Sequence, residues 1–511
     1  RLRVIKPDGS ILEPEPVARK PTLTMPHLEV GDYLEIEHIS PTQGDGEKGK
    51  RYRGPQWFFR EADKGYWRSE FVALTPKDRP LDIETRGAVP APKVKDVGTF
   101  TERRWRVDES PPAAEEPDSP RPQEFLPSVR IGWGISLEET LARLVDVAAD
   151  ETPLDPRLGR IAETIVKGVP KADTEERARR VYQYVLDQIE EGQESDGRRV
   201  VTGRSGARQA AFMHLVRQLG IPVELAVVKN RLAVPAMGKM SEVEMFDSLV
   251  LRVATNKGVR WMTVRDKFSP FGYLASDLRG QPAIRLVPGT PKETTASTGA
   301  LDGVGFEGRA TLRPDGSATV DLAQSYTGKV GTSMRNVFDK VPEMQLHDFV
   351  ESRLVGRNFP GAHVRDFKIE NKANLEKPLV VRLHLEVPQF ARPVGGGLSL
   401  KSLFPMRIAQ LAQLPSRQTP LLIGTSSHVE VKFEIVVPES MRVPTSLPIG
   451  EAKDGERLVR VADVVHGHAL YLDRVVDIPA GRVQPGPEYA KFQKFTQDAD
   501  QLVERDILLG K

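Results

Sequence analysis

A serine at the entry to a predicted helix is the first residue whose type and position could support chemistry. Ser205 lies in the run GRSGA, residues 203–207, and the residues that follow have the apolar pattern of a buried helix over about 205–219. The start of a helix presents free backbone N–H groups and the positive end of the helix dipole. Such a position is where folds place reactive groups, so Ser205 is a candidate nucleophile.

A nucleophilic serine also needs a base within hydrogen-bond reach. The nearest histidine in the sequence, His214, is nine positions further along the same predicted helix, about 13 Å along its axis at 1.5 Å per residue. It cannot reach Ser205 and is expected to be a core or groove residue. Serine is also a favoured helix cap, and the sequence favours the cap over the nucleophile for Ser205.

Other motifs give weaker signals. Arg204 and Arg208 flank the predicted helix start and are candidates for binding an anion there, with ordinary solvated arginines as the alternative. His466 and His468 have the spacing of a weak metal pair, but with no third ligand in view they are expected to be turn or surface residues. The glycines at 395–397 lack the Lys-Ser/Thr of a phosphate loop and predict a hairpin. We therefore predict no metal site and no cofactor.

The composition excludes several classes of function. The 511 residues include 73 basic and 71 acidic side chains, so no global field favours nucleic acid or an anionic membrane. No apolar run approaches the roughly 20 residues of a membrane span. The chain contains no cysteine, which excludes disulfides and thiolate chemistry. It begins at Arg1 within an apparent strand, so we expect a fragment or processed product with any export signal upstream.

The pattern along the chain predicts a multidomain α+β protein. A β-sandwich domain is expected at 1–108, followed by a Pro-rich acidic linker at 109–127 that is too poor in apolar residues to build a core. An α+β core is expected at 128–295, a β-rich domain at 296–484, and a tail with a short amphipathic helix at 485–511. The sequence sets no oligomeric state.

Helix caps and turn residues place several elements. Ser136, Asp155 and Asp173 stand where N-caps are expected, each before a run with helical apolar spacing, and strands follow these helices. The tetrads Pro-Asp-Gly-Ser at 7–10 and 314–317 each separate two β-like runs and predict tight hairpins. The central domain therefore has the order of helices first and an antiparallel meander second.

These features together resemble a bacterial family of uncharacterised proteins that have a transglutaminase-like core between two β-domains. The resemblance covers nearly the whole chain. It is carried in order by KPDGSILEPEP, LEVGDYLEIE, DTEERARRVYQYVLDQI, LVRQLGIPVELAVV, RWMTVRD, FSPFGYLASDLRGQP, GRATLRPDGSATV, SYTGKVGTSMRN, FPGAHVRDFKIEN and the Tyr489–Phe495 tail. The resemblance implies a papain-like fold in which Cys, His and Asp perform acyl transfer from a glutamine-type amide, or amide hydrolysis, through a thioester.

At the three positions that correspond to the family's triad, this sequence has hydroxyl residues. Ser205 stands for the nucleophilic Cys, Ser248 for the His and Thr263 for the Asp. The losses of Cys and His hold in any alignment, because the chain lacks cysteine and has no histidine between positions 214 and 347. The loss of the acid is open, because Asp247 or Asp266 could occupy nearby space.

Three hypotheses of function follow from the resemblance and the degenerate triad. The leading one is a catalytically inactive transglutaminase-like protein that acts as a binding or scaffold module for a peptide or protein in the bacterial cell envelope, for which a periplasmic location is expected. Arg204, Arg208 and Trp261 are its candidate groove residues. The second is an amide hydrolase or acyltransferase with Ser205 as nucleophile. The third is a purely structural protein that assembles through its β-domains.

Overall fold

The chain forms an N-terminal β region, a central α+β domain and a large C-terminal sheet domain in a computed structural model. The structure describes residues 1–16, 22–25, 27–40, 49–113, 115–148, 154–297, 301–401, 403–404 and 407–510. It is multidomain, sheet-rich and of the α+β class, as the sequence predicts. No helix in these ranges is long and apolar enough to cross a bilayer.

The N-terminal region consists of strands only. They are β1 (Leu2–Ile5), β2 (Ile11–Leu12), β3 (Glu15–Pro16), β4 (Leu23–Thr24), β5 (Tyr33–Ile36), β6 (Tyr52–Arg53), β7 (Trp57–Phe58), β8 (Tyr66–Pro76), β9 (Asp82–Arg86), β10 (Lys93–Val97), β11 (Phe100–Ser110) and β12 (Ser128–Trp133). One sheet has the order β10-β11-β8 and another joins β6, β7 and β9 to β12. Apolar side chains from both sheets enclose Trp105, which is 1% exposed.

The first 40 residues differ from a sandwich. Strands β2, β1 and β5 form a separate three-stranded sheet in which Val4 is the one buried apolar side chain among the described residues. The boundary of the central domain also differs from the expected one at residue 128, because strand β12 begins there. This strand pairs with β9 over Ser128–Gly132, so it completes the N-terminal sheet, and the central domain begins after Trp133.

The central domain contains six helices and a five-stranded antiparallel sheet within the described residues. The elements are α1 (Leu137–Ala148), α2 (Pro156–Ile165), α3 (Thr174–Gln188), β13 (Glu190–Glu191), α4 (Gly197–Gly203), β14 (Ser205–Gly206), α5 (Arg208–Gln218), β15 (Val223–Val228), α6 (Lys239–Glu242), β16 (Ser248–Thr255), β17 (Gly258–Met262), β18 (Pro282–Arg285) and β19 (Lys292–Thr294). The sheet order is β17-β16-β15-β18-β19. The side chains of Asp155 and Asp173 cap α2 and α3, and Ser136 Oγ accepts a hydrogen bond from Glu139 N, as predicted.

Helix α5 is the buried axis of this domain. Phe212, Leu215 and Val216 on α5 are fully buried against α2, α3 and one face of the sheet. The helix ends where the sequence predicts, because Gly220 (φ 70°) takes the left-handed conformation and Ile221 N donates to Val216 O. His214 is 2% exposed, which confirms that it is a core residue.

The C-terminal domain is built on a nine-stranded sheet. Its elements are β20 (Gly303–Leu312), β21 (Ala318–Thr327), α7 (Gly328–Lys340), α8 (Leu346–Phe349), β22 (His363–Glu370), β23 (Leu379–Val387), β24 (Arg392–Val394), β25 (Gly397–Leu400), β26 (Leu421–Ile423), β27 (Ser427–Val436), β28 (Ile449–Asp454), β29 (Arg457–Ala462), β30 (Val464–His466), β31 (Ala469–Ile478), β32 (Gly481–Val483), α9 (Pro487–Val503) and β33 (Ile507–Leu509). The large sheet has the order β22-β23-β21-β20-β27-β31-β29-β28, with β30 beside β31. Tyr489, Phe492 and Phe495 of α9 pack into this domain, as predicted for the tail.

The segment predicted as a linker, which the structure places between β11 and β12 of the N-terminal region, lies against the C-terminal domain. The Glu116 carboxylate accepts hydrogen bonds from Gln418 N at 2.8 Å and Thr419 N at 2.9 Å, and Glu124 pairs with Arg482 at 2.6 Å. Although burial opposes ionisation, the Thr419 hydroxyl and these N–H groups lower the pKa of Glu116 below its ordinary value. The predicted linker is therefore a docked strap.

Candidate functional site

The chain enters α5 from a second, short helix that the sequence does not predict. Residues 197–203 form the short helix α4, and Arg204 ends it in the left-handed region at φ 53°. Gly206 follows at φ 137°, and a Cβ atom there would lie 2.6 Å from Glu194 O. Only glycine fits this conformation and this close approach, so Gly206 sets the path of the chain into α5.

Ser205 neither caps α5 nor lies in a catalytic arrangement. The predicted cap is wrong: the N-cap position is Ala207, with no side-chain cap, and α5 begins at Arg208. Ser205 lies two residues earlier, exposed, in the short strand β14 that runs parallel to β13. Within the described part of the chain, its hydroxyl makes no hydrogen bond to an imidazole or a carboxylate.

The two faces of the central sheet decide which side chains meet α5. Side chains alternate between faces along a strand. Leu251 and its antiparallel partner Met262 belong to the core that encloses α5. Val250 and Trp261, one residue away on each strand, belong to the core on the opposite face of the sheet. The register thus fixes the orientation of every side chain in β16 and β17.

By this alternation, Ser248 and Thr263 face away from α5. Ser248 lies opposite Val228, which belongs to the core on the far face, and its hydroxyl donates to Asp247 Oδ1 at 2.9 Å. Thr263 follows Met262 by one position and therefore has the orientation of Trp261. The structure does not bring Ser205, Ser248 and Thr263 together.

The three residues predicted to line a groove are buried in the core, bonded to the backbone of neighbouring segments, or exposed. Trp261 is 5% exposed and packs in the core. Arg208 donates from Nε to Ile189 O at 2.7 Å and from Nη1 to Arg265 O at 2.8 Å, so its guanidinium joins neighbouring chain segments. Arg204 is exposed at the end of α4. None of the three lines the groove described next.

A groove of about 640 Å³ opens at the start of α5. Its lining is Val147, Ala148, Glu191, Glu194, Ser195, Asp196, Gly197, Ala207, Gln209, Ala210, Met213, Leu225, Leu249, Val264 and Arg265. Leu249 of β16 and Val264, two residues after the end of β17, are the neighbours of Ser248 and Thr263 that line the groove. The N-cap Ala207 and the helix residues Ala210 and Met213 line its other side. The floor beside the helix start is therefore apolar.

The rim of this groove carries more acidic than basic groups. Glu191, Glu194 and Asp196 stand against Arg265. The N–H groups of Asp196 and Ser195, which donate to Glu194 Oε1 at 2.9 and 3.0 Å, lower the pKa of Glu194, with a smaller contribution from Arg199. Glu194 therefore remains ionised to lower pH than an ordinary glutamate. Outside the lining, Arg199 pairs with Glu194 at 3.6 Å and Arg198 pairs with Asp196 at 3.3 Å, so exposed arginines offset two of the rim carboxylates.

The remaining motifs form turns. Gly467 (φ 59°) and His468 form the tight turn between β30 and β31, while His466 ends β30, which confirms the turn interpretation of the His pair. Gly395 and Gly396 form the turn between β24 and β25 at φ 52° and 86°, as expected for a hairpin. Among the described residues, no group of three or more His, Asp or Glu could hold a metal ion.

Sequence reasoning missed the groove residues because it followed motif positions rather than strand faces. The signal was nonetheless present. Apolar residues stand at odd and even positions of both strand segments, Leu249 before Val250 and Val264 three positions after Trp261. The pairing of Leu251 with Met262 decides which set faces the helix. A strand pairing was needed to extract this information.

Comparisons with known proteins bear on the fold. No protein-family model matches the chain, and no curated protein matches it. A solved structure from Parabacteroides distasonis, described as a "putative protease", superposes with a TM-score of 0.54 over 100% of this chain and 88% of that chain. The two sequences are 13% identical, so the likeness concerns the overall fold and leaves the chemistry of this chain to its own residues.

Proposed function

We propose that this protein is a non-catalytic binding module with a transglutaminase-like, papain-like central domain, which holds an extended segment of a partner protein in the groove at the start of α5. One observation carries the proposal. Ala207 at the helix start and Leu249 and Val264 across from it have side chains that can contact a ligand but cannot transfer a proton or attack a carbonyl, and the carboxylates of Glu191, Glu194 and Asp196 lie on the rim. We place the protein in the bacterial cell envelope on the resemblance alone.

The loss of chemistry extends beyond the three triad positions. Acyl transfer requires a nucleophile with a base in reach and donors aimed at the oxyanion. The chain contains no cysteine, and the hydroxyl of Ser205 in β14 has no titratable hydrogen-bond partner among the described residues. Catalysis would need all of these functions to be rebuilt, whereas binding needs only the surface that is present.

The lining of the groove indicates the chemistry of the partner. Its floor offers Met213, Leu249 and Val264 to an apolar side chain, and its volume of about 640 Å³ lies in the range of ligand sites. The three rim carboxylates, two of which contact the exposed Arg198 and Arg199 from outside the groove, can accept a basic group of the ligand beside that side chain. We therefore propose a peptide segment in which an apolar residue stands next to Lys or Arg.

A peptide-display selection with the full chain tests this proposal. We expect enrichment of segments that combine an apolar and a basic residue, and binding of a labelled winner measured by fluorescence polarisation. Leu249→Arg should weaken binding by about tenfold or more, equivalent to about 1.4 kcal/mol, because it fills the groove and adds a positive charge. Val259→Arg is the matched control, since Leu249 and Val259 are 39% and 37% exposed on the same sheet and Val259 is outside the groove.

Two results would contradict the proposal. Peptide binding that is insensitive to Leu249→Arg would place the partner elsewhere. Release of ammonia from a glutamine donor in the presence of a primary amine, abolished by Ser205→Ala, would show that the protein is an enzyme.

A further inference from the structure

A second cavity lies in the C-terminal domain, on the face of the nine-stranded sheet that carries the hydrophobic core. Its volume is about 560 Å³. Apolar side chains of strands β20, β27 and β31 form its floor, and Phe404 and the segment 407–413 contribute its wall. No lining residue is shared with the α5 groove, so this cavity is a separate feature of the molecule.

The floor of the cavity is the end of the sheet's inner face that the packing leaves open. Val304 of β20 lies opposite Val429 of β27, which lies opposite Val476 of β31. Val304 and Val429 are half-buried, whereas Val431, two positions along β27 on the same face, is fully buried. The hydrophobic core thus ends here, and apolar surface remains available to a ligand.

The wall of the cavity is also apolar. Phe404 and Ile408 are buried, and the ring centroids of Phe404 and Phe306 lie 4.6 Å apart. Ile408 begins a short 3-10 helix, Ile408–Ala412, whose first N–H groups donate to the Asp500 carboxylate of α9 at 2.6 and 2.9 Å. The wall is therefore anchored to α9, and both oxygens of that carboxylate already accept hydrogen bonds.

The rim of the cavity is polar and carries positive charge. Its exposed lining residues include Arg357, Arg407, Gln410 and Gln413. Within the described ranges, neither arginine makes an ion pair or a hydrogen bond, and no aspartate or glutamate is among the lining residues. Both guanidinium groups can therefore donate to an anionic ligand at the mouth of an apolar cavity.

The floor suits a hydrocarbon chain better than a peptide. Strands β20, β27 and β31 each pair on both sides, so the floor offers a peptide backbone no free strand edge. The N–H and C=O groups of a peptide would lose water against apolar side chains without gaining partners, which is costly. A methylene chain has no such groups and gains free energy by leaving water.

We infer that this cavity is a binding site for a fatty carboxylate, a single alkyl chain with one anionic head group. The alkyl chain lies on the valine floor, and the carboxylate lies at the rim with Arg357 and Arg407. A guanidinium offers a planar fork of donors that matches the two oxygens of a carboxylate. The volume of about 560 Å³ lies within the range of small-molecule sites. The site is independent of the proposed function and takes a different class of ligand.

Titration calorimetry of the full chain with dodecanoate tests this site, with dodecyltrimethylammonium as the probe of equal chain length and opposite charge. Both are used below the concentrations at which they form micelles. We expect saturable one-to-one binding of dodecanoate with a submillimolar Kd, and binding of the cationic probe weaker by about tenfold or more. Octanoate should also bind about tenfold or more weakly than dodecanoate, because it buries fewer methylene groups.

Two sets of variants assign the head group and the alkyl chain to their contacts. The double variant Arg357→Gln, Arg407→Gln should weaken dodecanoate binding about fivefold or more and should not weaken binding of the cationic probe, because only the carboxylate loses its partners. Its control is Arg353→Gln, an exposed arginine of the same domain outside the lining, which should leave Kd nearly unchanged. Leu411→Asn should weaken dodecanoate binding and Leu414→Asn should not, since both leucines pack beside the same core and only Leu411 lines the cavity.

The inference is overturned if dodecanoate does not bind above the buffer blank, if the cationic probe binds as tightly, or if the folded double variant binds dodecanoate as tightly as the unmodified protein. Circular dichroism checks the fold, and Arg357→Gln alone, with the same outcomes, replaces a double variant that fails to fold. Tighter binding of an apolar peptide with a free C-terminal carboxylate would overturn the assignment of the alkyl chain. Leu249→Arg in the α5 groove should leave dodecanoate binding unchanged, which separates this inference from the proposed function.

Discussion

The buried carboxylate of Glu175 should control the stability of the central domain in a pH-dependent way. Glu175 is 4% exposed in the first turn of α3. It accepts hydrogen bonds from Arg260 Nε at 2.9 Å, Arg260 Nη2 at 2.8 Å and Thr255 Oγ1 at 2.8 Å. These contacts tie α3 to strands β16 and β17, whose inner faces form the floor under α5.

The expected loss in Glu175→Gln follows from these contacts. Breaking a fully buried pair costs about 3–5 kcal/mol. The Arg260 side chain is 36% exposed, so solvent compensates part of that cost, and we expect about 2–3 kcal/mol. For a domain of this size, that corresponds to a fall in Tm of about 4–12 °C. Glu176→Gln, at the next position and on the solvent side of the helix, should change stability by about 0.5 kcal/mol or less.

The pH dependence has a definite sign. Although burial opposes ionisation, the hydrogen bonds from Arg260 and Thr255 lower the pKa of Glu175 below its ordinary value. A lowered pKa in the folded state contributes stability that is present above the unfolded-state pKa of about 4.3 and is lost as pH falls through the folded-state value. The difference between Glu175→Gln and the unmodified protein should therefore shrink as the pH falls below about 4.3.

Fluorotryptophan labelling provides a readout confined to the right domain. The chain has five tryptophans, and Trp261 is the one in the central domain, next to Arg260. Urea unfolding followed at the ¹⁹F resonance of Trp261, assigned with Trp261→Phe, reports on this domain. A difference below about 0.5 kcal/mol at pH 7, or one that does not change with pH, would refute the reasoning.

Two further substitutions test the backbone and the core. Gly206→Ala should destabilise the central domain by about 2 kcal/mol or more, because the φ of 137° and the close approach to Glu194 O leave no room for a Cβ atom. Gly203→Ala is the control: a Cβ atom there meets open space, so this variant should be nearly neutral. Chemical denaturation measures the free energy of unfolding of both variants. Asp463→Asn should cost about 3–5 kcal/mol in the C-terminal domain, since Asp463 is fully buried and pairs with Arg474 at 2.6 Å; a cost below 1 kcal/mol would contradict this.

Local sequence features were sufficient to predict much of the fold. The caps Asp155 and Asp173, the turn at Gly220 and the two Pro-Asp-Gly-Ser hairpins are where the sequence predicts them, because each depends on residues within one turn of the chain. The start of α5 is different. Helix α4 has little apolar periodicity to reveal it, with only Val200 and Val201 buried.

The site could not be predicted because it depends on long-range pairing. In a strand, a shift of one residue moves every side chain to the other face. Motif matching placed the functional positions at Ser248 and Thr263, but the pairing of Leu251 with Met262 turns Leu249 and Val264 toward the helix.

The docked strap can reach its final position only late in the synthesis of the chain. Glu116 reaches the backbone of Thr419, 303 positions later in the chain, so its partners do not exist until most of the protein has been made. At about 5–20 residues per second, the strap waits roughly 15–60 s for its binding surface. Throughout that interval the central domain can complete its own fold, while the strap remains open to proteases and chaperones. Docking of the strap is thus a late step in folding. It can occur only in chains whose C-terminal sheet has already formed.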